Sequence, residues 1–511
     1  MSDPAPPRLR DTERRHLTRR RPSRRAGLLL AAVGGLALLG VGFARAAGGL
    51  AGLTSDGGPA VSAAHDSGSP CASVPPSASA TGSCASPIPS RGPSARPPGA
   101  SASTGASASV GASPAPTPSG PLPSGPLPSG PPPTGPPQVI LATRLQATLD
   151  RVRVKLGIPG VSATIVFRDG TIWTGVSGLA DVAARTKVTP DTAFAYASVS
   201  KTFTSALILQ LIGEGRLRLT DSAARLLPAI RLKVDPRITV GMLLNHTSGL
   251  ADFFLNPKID RPLQADPTVA WTVDRSLRYV GKRLSPPGAA WHYSNTNYLL
   301  LGLIAERITG KTLAEAIRAR LLEPTGLGGT WYQAAEVNRM PLAHGYRFVG
   351  TKRTAKPIDL DDGTGIAPFR SVVTAAGGAG SIAGTSSDLA RWARALYAGK
   401  VLGPAGTAML LSNFTKTRNY LPGVVYGYGV QAFTIDGHPS LGHSGRLLGF
   451  RSAVRHFPID GVTIAVLTNQ SRADPGLIVR ALLAVAAPRP PLTAPSTPAA
   501  PTPPCVSCRV R

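Results

Sequence analysis

Residues 194–203 read Phe194-Ala-Tyr-Ala-Ser198-Val-Ser-Lys201-Thr-Phe203, the most informative stretch of the chain. It opens an apolar run that ends at Ile212, and Gly213-Glu-Gly215 follows as a typical helix stop. The pattern therefore predicts one helix that begins near Ser198. Ser198 and Lys201 are three residues apart, and this spacing places both side chains on one face of a helical turn.

That pairing suits nucleophilic chemistry. A serine hydroxyl attacks a carbonyl well only when a neighbouring base accepts its proton. Lysine becomes such a base where burial or a nearby cation lowers its pKa. The start of a helix also offers free backbone N–H groups to a developing oxyanion. A capping serine followed by a surface lysine has the same spacing, so the pattern needs support from elsewhere in the chain.

Two later motifs contain residues that could act with Ser198 and Lys201 in catalysis. Tyr293-Ser-Asn295 precedes a predicted helix over 299–308, where Tyr293 can relay protons and Asn295 can bond a substrate amide. The alternative is a loop tyrosine and a helix-capping asparagine. His443-Ser444-Gly445-Arg446 precedes a predicted strand at Phe450, where it can hold a substrate carboxylate. The alternative there is a polar turn.

Hydrophobic periodicity around these motifs predicts an α+β fold. Strand patterns occur near both ends of residues 138–488, and Asp-Gly pairs mark two hairpins. A mostly helical middle region lies between them. We therefore predict an antiparallel sheet built from both ends of the domain and flanked by helices. The predicted strands cover 162–168, 171–177, 427–435, 450–457 and 462–468, and the predicted flanking helices cover 139–156 and 475–486.

The ordered set of S-x-x-K at Ser198, Y-x-N at Tyr293 and H-S-G at His443 resembles the penicillin-recognising serine hydrolases. That family includes class C β-lactamases, D-alanyl-D-alanine carboxypeptidases and esterases. The stretches 243–250 (LLNHTSGL), 293–302 (YSNTNYLLLG) and 324–327 (PTGL) look like the same family. The resemblance covers nearly all of 140–485 and implies a β-lactamase/transpeptidase-like architecture.

The resemblance also implies catalytic roles. Ser198 would be the acylated nucleophile, and Lys201 and Tyr293 would share the general-base and general-acid work. The backbone N–H groups of Ser198 and Arg446 would form the oxyanion hole. No cofactor or metal is implied.

It further implies a substrate-binding set. Asn295 would position the substrate amide, and His443 and Ser444, followed by Gly445 and Arg446, would face the substrate carboxylate. The commonest third motif in the family is Lys-Thr-Gly, whereas this chain has His443-Ser444-Gly445. A neutral histidine binds a carboxylate less firmly than lysine, so proficient β-lactamase activity is not expected.

Composition divides the rest of the chain. Residues 1–46 combine ten arginines with an uncharged run over 26–44 and Ala44-Arg-Ala46, which predicts an export signal or a membrane anchor. Residues 47–137 are rich in Ala, Ser, Gly and Pro and predict a disordered linker. Residues 489–511 predict a disordered Pro-rich tail. The chain is therefore expected to act outside the cytoplasm, secreted or anchored, at the cell envelope.

Several function classes are disfavoured. The net charge is +28, but the basic residues of 138–488 are scattered, and no nucleic-acid-binding motif accompanies them. Cys505-Val-Ser-Cys508 has no second ligand pair for zinc, and Asp361-Asp362 lacks the spacing of a metal loop. Gly377-Gly-Ala-Gly380 lacks the lysine of a phosphate loop and is interpreted as a tight turn near the site. His246, His292 and His344 are interpreted as structural loop histidines.

The expected function is that of an exported serine hydrolase that forms an acyl-enzyme with a D-Ala-D-Ala-like peptide. An esterase or a class C-like β-lactamase is the alternative within the family. A catalytically weak penicillin-binding or envelope-interaction protein is the alternative of another class. The expected partner is a peptide or a small-molecule acyl substrate.

Overall fold

The computed structural model describes residues 136–348, 356–418, 420 and 422–488. The predicted export segment, nearly all of the predicted linker, the tail and all four cysteines lie outside the described residues. The first described helix begins at Pro136, so Pro136 and Pro137 belong to it rather than to the linker. Within the described residues, no helix is both long and apolar enough to span a bilayer.

The strands lie mainly near the two ends of the described chain. They are β1 (Gly160–Val166), β2 (Ile172–Asp181), β3 (Thr186–Lys187), β4 (Phe194–Ala195), β5 (Thr330–Tyr332), β6 (Tyr346–Phe348), β7 (Pro357–Asp359), β8 (Ile382–Gly384), β9 (Thr415–Lys416), β10 (Val425–Tyr426), β11 (Gln431–Ile435), β12 (His438–Leu447), β13 (Phe450–Phe457) and β14 (Val462–Thr468).

Helices open and close this region and fill its middle. The α-helices are α1 (Pro136–Leu156), α2 (Ser200–Gly213), α3 (Ala223–Leu226), α4 (Val240–Leu244), α5 (Asp260–Ala265), α6 (Val273–Leu277), α7 (Asn295–Thr309), α8 (Leu313–Ile317), α9 (Arg370–Ala376), α10 (Ser386–Tyr397), α11 (Gly403–Leu410) and α12 (Gly476–Ala486). Short 3₁₀ turns cover Ala197–Val199, Phe253–Leu255 and Gly377–Ala379, and a π-helical turn covers Arg318–Leu322.

The main sheet has nine strands in the order β3-β2-β1-β14-β13-β12-β11-β10-β9, and every neighbouring pair is antiparallel. Strand β1 pairs with β14, so the two ends of the domain meet in the centre of the sheet. The predicted α+β architecture is therefore confirmed. Two hairpins turn near Asp169-Gly170 and Asp460-Gly461, where both glycines have positive φ.

One predicted strand is wrong in detail. The pattern over 427–435 predicts a single strand, whereas the structure has β10 and β11 separated by Gly427–Val430. Gly429 adopts a φ of 78°, a backbone conformation that breaks a strand. The Gly-Tyr-Gly sequence therefore acts as a turn, although its aromatic residue fits a strand pattern.

The sheet separates two cores. On one face, α1 and α12 pack against the central strands through buried residues such as Leu149, Ile464 and Leu482. On the other face lies a larger core that includes α2, α7 and α10. Strands β1, β13 and β14 are buried throughout, because both faces are covered. Helices of the middle region, such as α2 and α7, are thereby held against one face of the sheet, close to the segments that carry the sequence motifs.

Candidate active site

Ser198 lies in the 3₁₀ turn immediately before α2. Within residues 192–209 it is the one residue that is not buried, so its hydroxyl is accessible while its neighbours pack in the core. The preceding Ala197 has a φ of 51°, an unfavourable conformation for a residue with a side chain. The backbone is thus bent sharply at the point where the serine is presented.

Lys201 contacts Ser198 directly. Its Nζ atom lies 3.1 Å from Ser198 Oγ, 2.7 Å from Asn295 Oδ1 and 2.9 Å from the carbonyl oxygen of Ala379. The side chain is fully buried, and burial lowers the pKa of its amine to about 7, although the Asp252 carboxylate opposes that shift. An amine that is partly neutral near pH 7 can accept the serine proton.

Tyr293 completes the immediate surroundings of the hydroxyl. Its phenol is hydrogen-bonded to the Ser198 side chain, and its ring centroid lies 5.0 Å from Lys201 Nζ. The ring stacks on Tyr420 with centroids 5.7 Å apart. Burial, followed by Tyr420, raises the pKa of Tyr293 well above its usual value, so the phenol holds its proton and is suited to donate it.

Asn295 begins α7 and links the lysine to a buried carboxylate. Its Oδ1 accepts from Lys201, and its Nδ2 donates to Asp252 Oδ2 over 2.8 Å. An amide nitrogen carries a second hydrogen, and Asn295 lines the active-site cavity. The position is therefore compatible with the predicted contact to a substrate amide.

Sequence reasoning missed Asp252. It is 7% exposed, and its Oδ1 also accepts from the backbone N–H of Phe254 at 3.0 Å. Burial raises the pKa of Asp252 to about 6, so the group is mostly ionised at neutral pH. A lone aspartate forms no motif, and its only signal is that it follows the family-like stretch 243–250 by two residues.

We expect the Asp252→Asn variant to shift the acid limb of the kcat/KM profile to lower pH. The Asp252 carboxylate favours the protonated form of Lys201, so its removal lowers the pKa of Lys201 further. Activity that requires the neutral amine then appears at lower pH. A pH–rate profile measures the shift, and Asp274→Asn, at a side chain that is 47% exposed on α6, is the control. An unchanged acid limb in Asp252→Asn would contradict this link.

His443 lies near Lys201 without lining the cavity, and its predicted contact with a substrate carboxylate stays a prediction. It is fully buried, and its Nδ1 donates to the Ser444 carbonyl at 2.7 Å while its Nε2 accepts from the Tyr426 hydroxyl at 2.9 Å. Burial lowers the pKa of His443 well below its usual value, so the ring is neutral. Side chains alternate along a strand, and His443 occupies the face opposite to Ser444.

The H-S-G motif itself lies within strand β12 rather than in a turn. Ser444 and Arg446 line the cavity. Ser444 Oγ lies 3.2 Å from Gln431 Nε2. Gly445 also lines the cavity and lies against the turn that carries Ser198. Ser444, Gly445 and Arg446 therefore line the same cavity as Ser198, and His443 shares with Gly445 the face of β12 that packs against the Ser198 turn.

The glycine of this motif is required by close packing. A Cβ atom at Gly445 would lie 2.3 Å from Ser452 Oγ and 2.4 Å from the Tyr196 carbonyl oxygen. Neither distance is possible for non-bonded atoms, and one of the two neighbours is backbone. Strand β12 can approach the Ser198 turn only because residue 445 has no side chain.

We expect Gly445→Ala to lower the free energy of unfolding by about 1–3 kcal/mol, because the added methyl overpacks this contact. The acylation rate should fall about tenfold or more, since displacement of β12 misplaces the reacting groups. Thermal unfolding and acylation kinetics measure the two effects. Gly213→Ala, at the end of α2 with open space around its Cβ, is the matched control. Wild-type kinetics in Gly445→Ala would refute the packing argument.

The site opens into one large cavity of about 620 Å³. That volume is typical of pockets for small-molecule ligands. Ser198, Asp252, Tyr293 and Asn295 form one part of its wall. Much of the remaining wall is apolar and includes Phe254, Leu255, Leu263, Phe369, Val372 and Phe433.

His246 and the glycine turn at 377–380, which the sequence analysis interpreted as structural, both hold neighbouring segments in place. His246 is buried, and its Nδ1 accepts from the Asn297 amide at 3.0 Å and from the Ser294 backbone at 3.3 Å, which holds the loop before α7. Gly377–Ala379 forms a 3₁₀ turn next to the site, because the Ala379 carbonyl accepts from Lys201.

One group among the described residues has the composition of a metal site. Asp181, His344 and Asp359 place one donor atom each within 4.8 Å of one another. His344 Nδ1 lies 3.0 Å from Asp359 Oδ2, a hydrogen bond that satisfies this pair without an ion. None of the three lines the active-site cavity. The interpretation of His344 as a structural histidine is compatible with this arrangement.

Comparison with known proteins places this geometry in context. The model of the family described as Beta-lactamase matches residues 144–487. Penicillin-binding protein 4 of Amycolatopsis lactamdurans is 31% identical over 339 residues, which cover 63% of this chain and 84% of that protein. Esterase EstB of Burkholderia gladioli is 31% identical over 278 residues, which cover 50% of this chain and 70% of the esterase. The solved structure of a D-stereospecific amidohydrolase from Streptomyces sp. has a TM-score of 0.58 and 27% identity, and the match covers 66% of this chain and 98% of that chain.

Proposed function

This chain belongs to the beta-lactamase family of serine hydrolases, and from that premise we propose that it cleaves a D-Ala-D-Ala-like peptide through an acyl-enzyme on Ser198. One observation carries the proposal. The Ser198 hydroxyl is hydrogen-bonded to the buried Lys201 amine and to the partly buried Tyr293 phenol, and it opens on a cavity that can hold a small ligand.

The geometry suggests how the proton moves. As Ser198 Oγ attacks the substrate carbonyl, its proton passes to the neutral Lys201 amine. The leaving amine receives a proton from the Tyr293 phenol, and Lys201 returns one to Tyr293. Water then attacks the ester, and the same groups act in the reverse direction to release the acid.

Backbone N–H groups are expected to stabilise the oxyanion that forms in both steps. Ser198 lies at the start of a helix, where N–H groups lack helical partners, and Arg446 lies beside it on β12. Such donors act most strongly in a cavity that excludes water.

A carboxylic ester is the second candidate substrate. The apolar lining of the cavity favours it, because hydrophobic walls bind an apolar acyl group without requiring a charged partner. The relative named as an esterase supports the same candidate.

We also propose that the protein works outside the cytoplasm, at the cell envelope. The arginine-rich segment before the apolar run 26–44 supports export, and the low-complexity stretch 47–137 would act as a spacer. A reporter fusion of residues 1–60, assayed for export with and without Arg24-Arg25→Lys-Lys, tests this proposal. Retention of the wild-type fusion in the cytoplasm would contradict it.

Intact-mass detection of a covalent adduct tests the hydrolase proposal. Wild-type protein incubated with benzylpenicillin should gain the mass of one penicilloyl group, and peptide mapping should locate it on Ser198. Release of D-alanine from an acyl-D-Ala-D-Ala peptide would identify a peptidase. Cleavage of 4-nitrophenyl esters alone would identify an esterase, and nitrocefin turnover a β-lactamase. If no adduct forms and none of these substrates is turned over, the result would favour an envelope-interaction protein instead.

A further inference from the structure

His246 forms hydrogen bonds on both sides of Tyr293. Its carbonyl oxygen accepts from the backbone N–H of His292 at 2.9 Å, and its Nδ1 atom accepts from the backbone N–H of Ser294 at 3.3 Å. The two donors are the residues immediately before and after the tyrosine. One residue from a distant part of the chain therefore holds both flanks of the segment that carries the tyrosine.

The imidazole ring of His246 also packs against the tyrosine ring. The two ring centroids are 4.4 Å apart, which is closer than the 5.7 Å between Tyr293 and Tyr420. The Tyr426 and Tyr298 rings lie 4.8 Å and 5.3 Å from the same imidazole. Closely packed rings have little freedom to turn. The imidazole is therefore part of the packing that fixes the direction of the Tyr293 ring.

The hydrogen bonds of His246 determine which ring nitrogen carries the proton. The Ser294 N–H and the side-chain amide of Asn297 both donate to Nδ1, the latter at 3.0 Å. A neutral imidazole that accepts at Nδ1 carries its hydrogen on Nε2. Burial, followed by the charge of Lys201, lowers the pKa of His246 well below its usual value. The ring therefore stays neutral and keeps Nδ1 as an acceptor.

Two features of His246 are unfavourable for stability. Its φ is 64°, a left-handed conformation that is uncommon for a residue with a Cβ atom. Its Nε2 atom is buried and has no hydrogen-bond partner among the described residues. A buried N–H without an acceptor is destabilising, and aromatic faces accept such a hydrogen only weakly. Strained backbone conformations cluster at active sites, so these features indicate a role beyond filling space.

We propose that His246 is a positioning residue for acylation, which holds the Tyr293 phenol at hydrogen-bonding distance from Ser198 Oγ. The inference rests on the proposed hydrolase function and adds a residue that does not itself line the cavity. The leaving group takes a proton from Tyr293 as its bond to the acyl carbon breaks. A displacement of the phenol by about 1 Å would slow that step while the nucleophile and its base stay in place.

Two esters with the same acyl group test this role. The ethyl ester of N-acetyl-D-alanine releases an alkoxide, which needs a proton as it leaves, whereas the 4-nitrophenyl ester releases a stable anion. The kcat/KM value of each ester reports the steps through acylation. In Tyr293→Phe we expect kcat/KM for the ethyl ester to fall about a hundredfold and that for the 4-nitrophenyl ester by about threefold at most.

Two amide variants of His246 separate positioning from space filling. In His246→Asn the amide oxygen can replace Nδ1 as the acceptor, whereas the longer side chain of His246→Gln carries its amide toward the position of Nε2. We expect His246→Gln to lower kcat/KM for the ethyl ester about tenfold or more and for the 4-nitrophenyl ester by about threefold at most. His246→Asn should restore most of the ethyl ester activity.

A double variant and a second histidine serve as controls. His246→Gln combined with Tyr293→Phe should lose no more activity than Tyr293→Phe alone, because the histidine acts through the tyrosine. His438 is also buried, but it bonds Asp460 and does not line the cavity. His438→Gln should therefore leave the ratio of the two esters unchanged. Thermal melting checks each fold, and His246→Leu replaces His246→Gln if the latter does not melt cooperatively.

Amide hydrogen exchange tests the same contacts without a substrate. In the full chain, His246→Gln should speed exchange about tenfold or more in peptides that contain residues 292–294, because this segment loses the hydrogen bond that orders it. His246→Asn should exchange like wild type. Unchanged exchange in His246→Gln would reject the contact at Nδ1, as would failure of His246→Asn to restore the ethyl ester activity.

The ester measurements provide two further ways to overturn the proposal. Equal losses for both esters would leave His246 with a structural role only. Losses that multiply in the double variant would mean that it acts independently of Tyr293. If the wild type formed no adduct on Ser198 and cleaved neither ester, the hydrolase proposal would fail, and the exchange comparison would still decide whether His246 holds the Tyr293 segment.

Discussion

Ser198→Ala is expected to abolish covalent labelling by a fluorescent penicillin and to lower hydrolysis by about a thousandfold or more. Ser198 is the one residue of 192–209 that is not buried, it lines the cavity, and its hydroxyl is hydrogen-bonded to Lys201 and Tyr293. Without the oxygen there is no nucleophile for these groups to activate. Gel fluorescence and steady-state kinetics on the preferred substrate measure the two losses.

The variant should keep its fold, because a half-exposed serine contributes little packing. Ser412→Ala, an exposed serine outside the cavity, controls for the general effect of removing a hydroxyl and should be labelled like wild type. Labelling of Ser198→Ala at the wild-type rate, with an intact melting transition, would rule out Ser198 as the acylated residue.

Lys201→Met should reduce the rate of acylation by about a hundredfold or more. Methionine preserves most of the buried apolar stem but removes the amine that lies 3.1 Å from Ser198 Oγ. It also leaves Asn295 Oδ1 and the Ala379 carbonyl oxygen without the donor that joins them. Stopped-flow acylation measures the rate, and thermal melting separates lost chemistry from lost structure.

The exposed Lys311 provides the matched control, since Lys311→Met makes the same chemical change at the surface. Its acylation rate should equal that of wild type. If Lys201→Met acylated within threefold of wild type while remaining folded, the lysine would not be the base, and Tyr293 would have to perform that step alone.

Local sequence patterns were sufficient for much of the architecture. The Asp-Gly pairs predict the two hairpins, and the apolar runs over 450–457 and 462–468 match β13 and β14. These strands are buried on both faces, so their composition reflects their environment directly. Around Tyr428 the sequence pattern favours a strand, whereas the flanking Gly429 adopts a turn conformation that strand propensity does not indicate.

Some residues of the candidate site could likewise be predicted from a short segment, and others could not. Ser198 and Lys201 are three residues apart, so their proximity follows from one helical turn. Asp252 escaped notice because its role depends on Asn295, 43 residues later in the chain. His443 and Gly445 share the face of β12 that packs against the Ser198 turn, and a motif of three residues does not specify that face.

Spacing and periodicity within short segments were enough to predict the Ser198–Lys201 pair and the α+β class. The folded chain was needed to show that a buried carboxylate adjoins the Lys201–Asn295 pair and that His443 is buried against Tyr426 instead of lining the cavity. Each of these depends on strand register and long-range packing, which bring together groups that are distant along the chain.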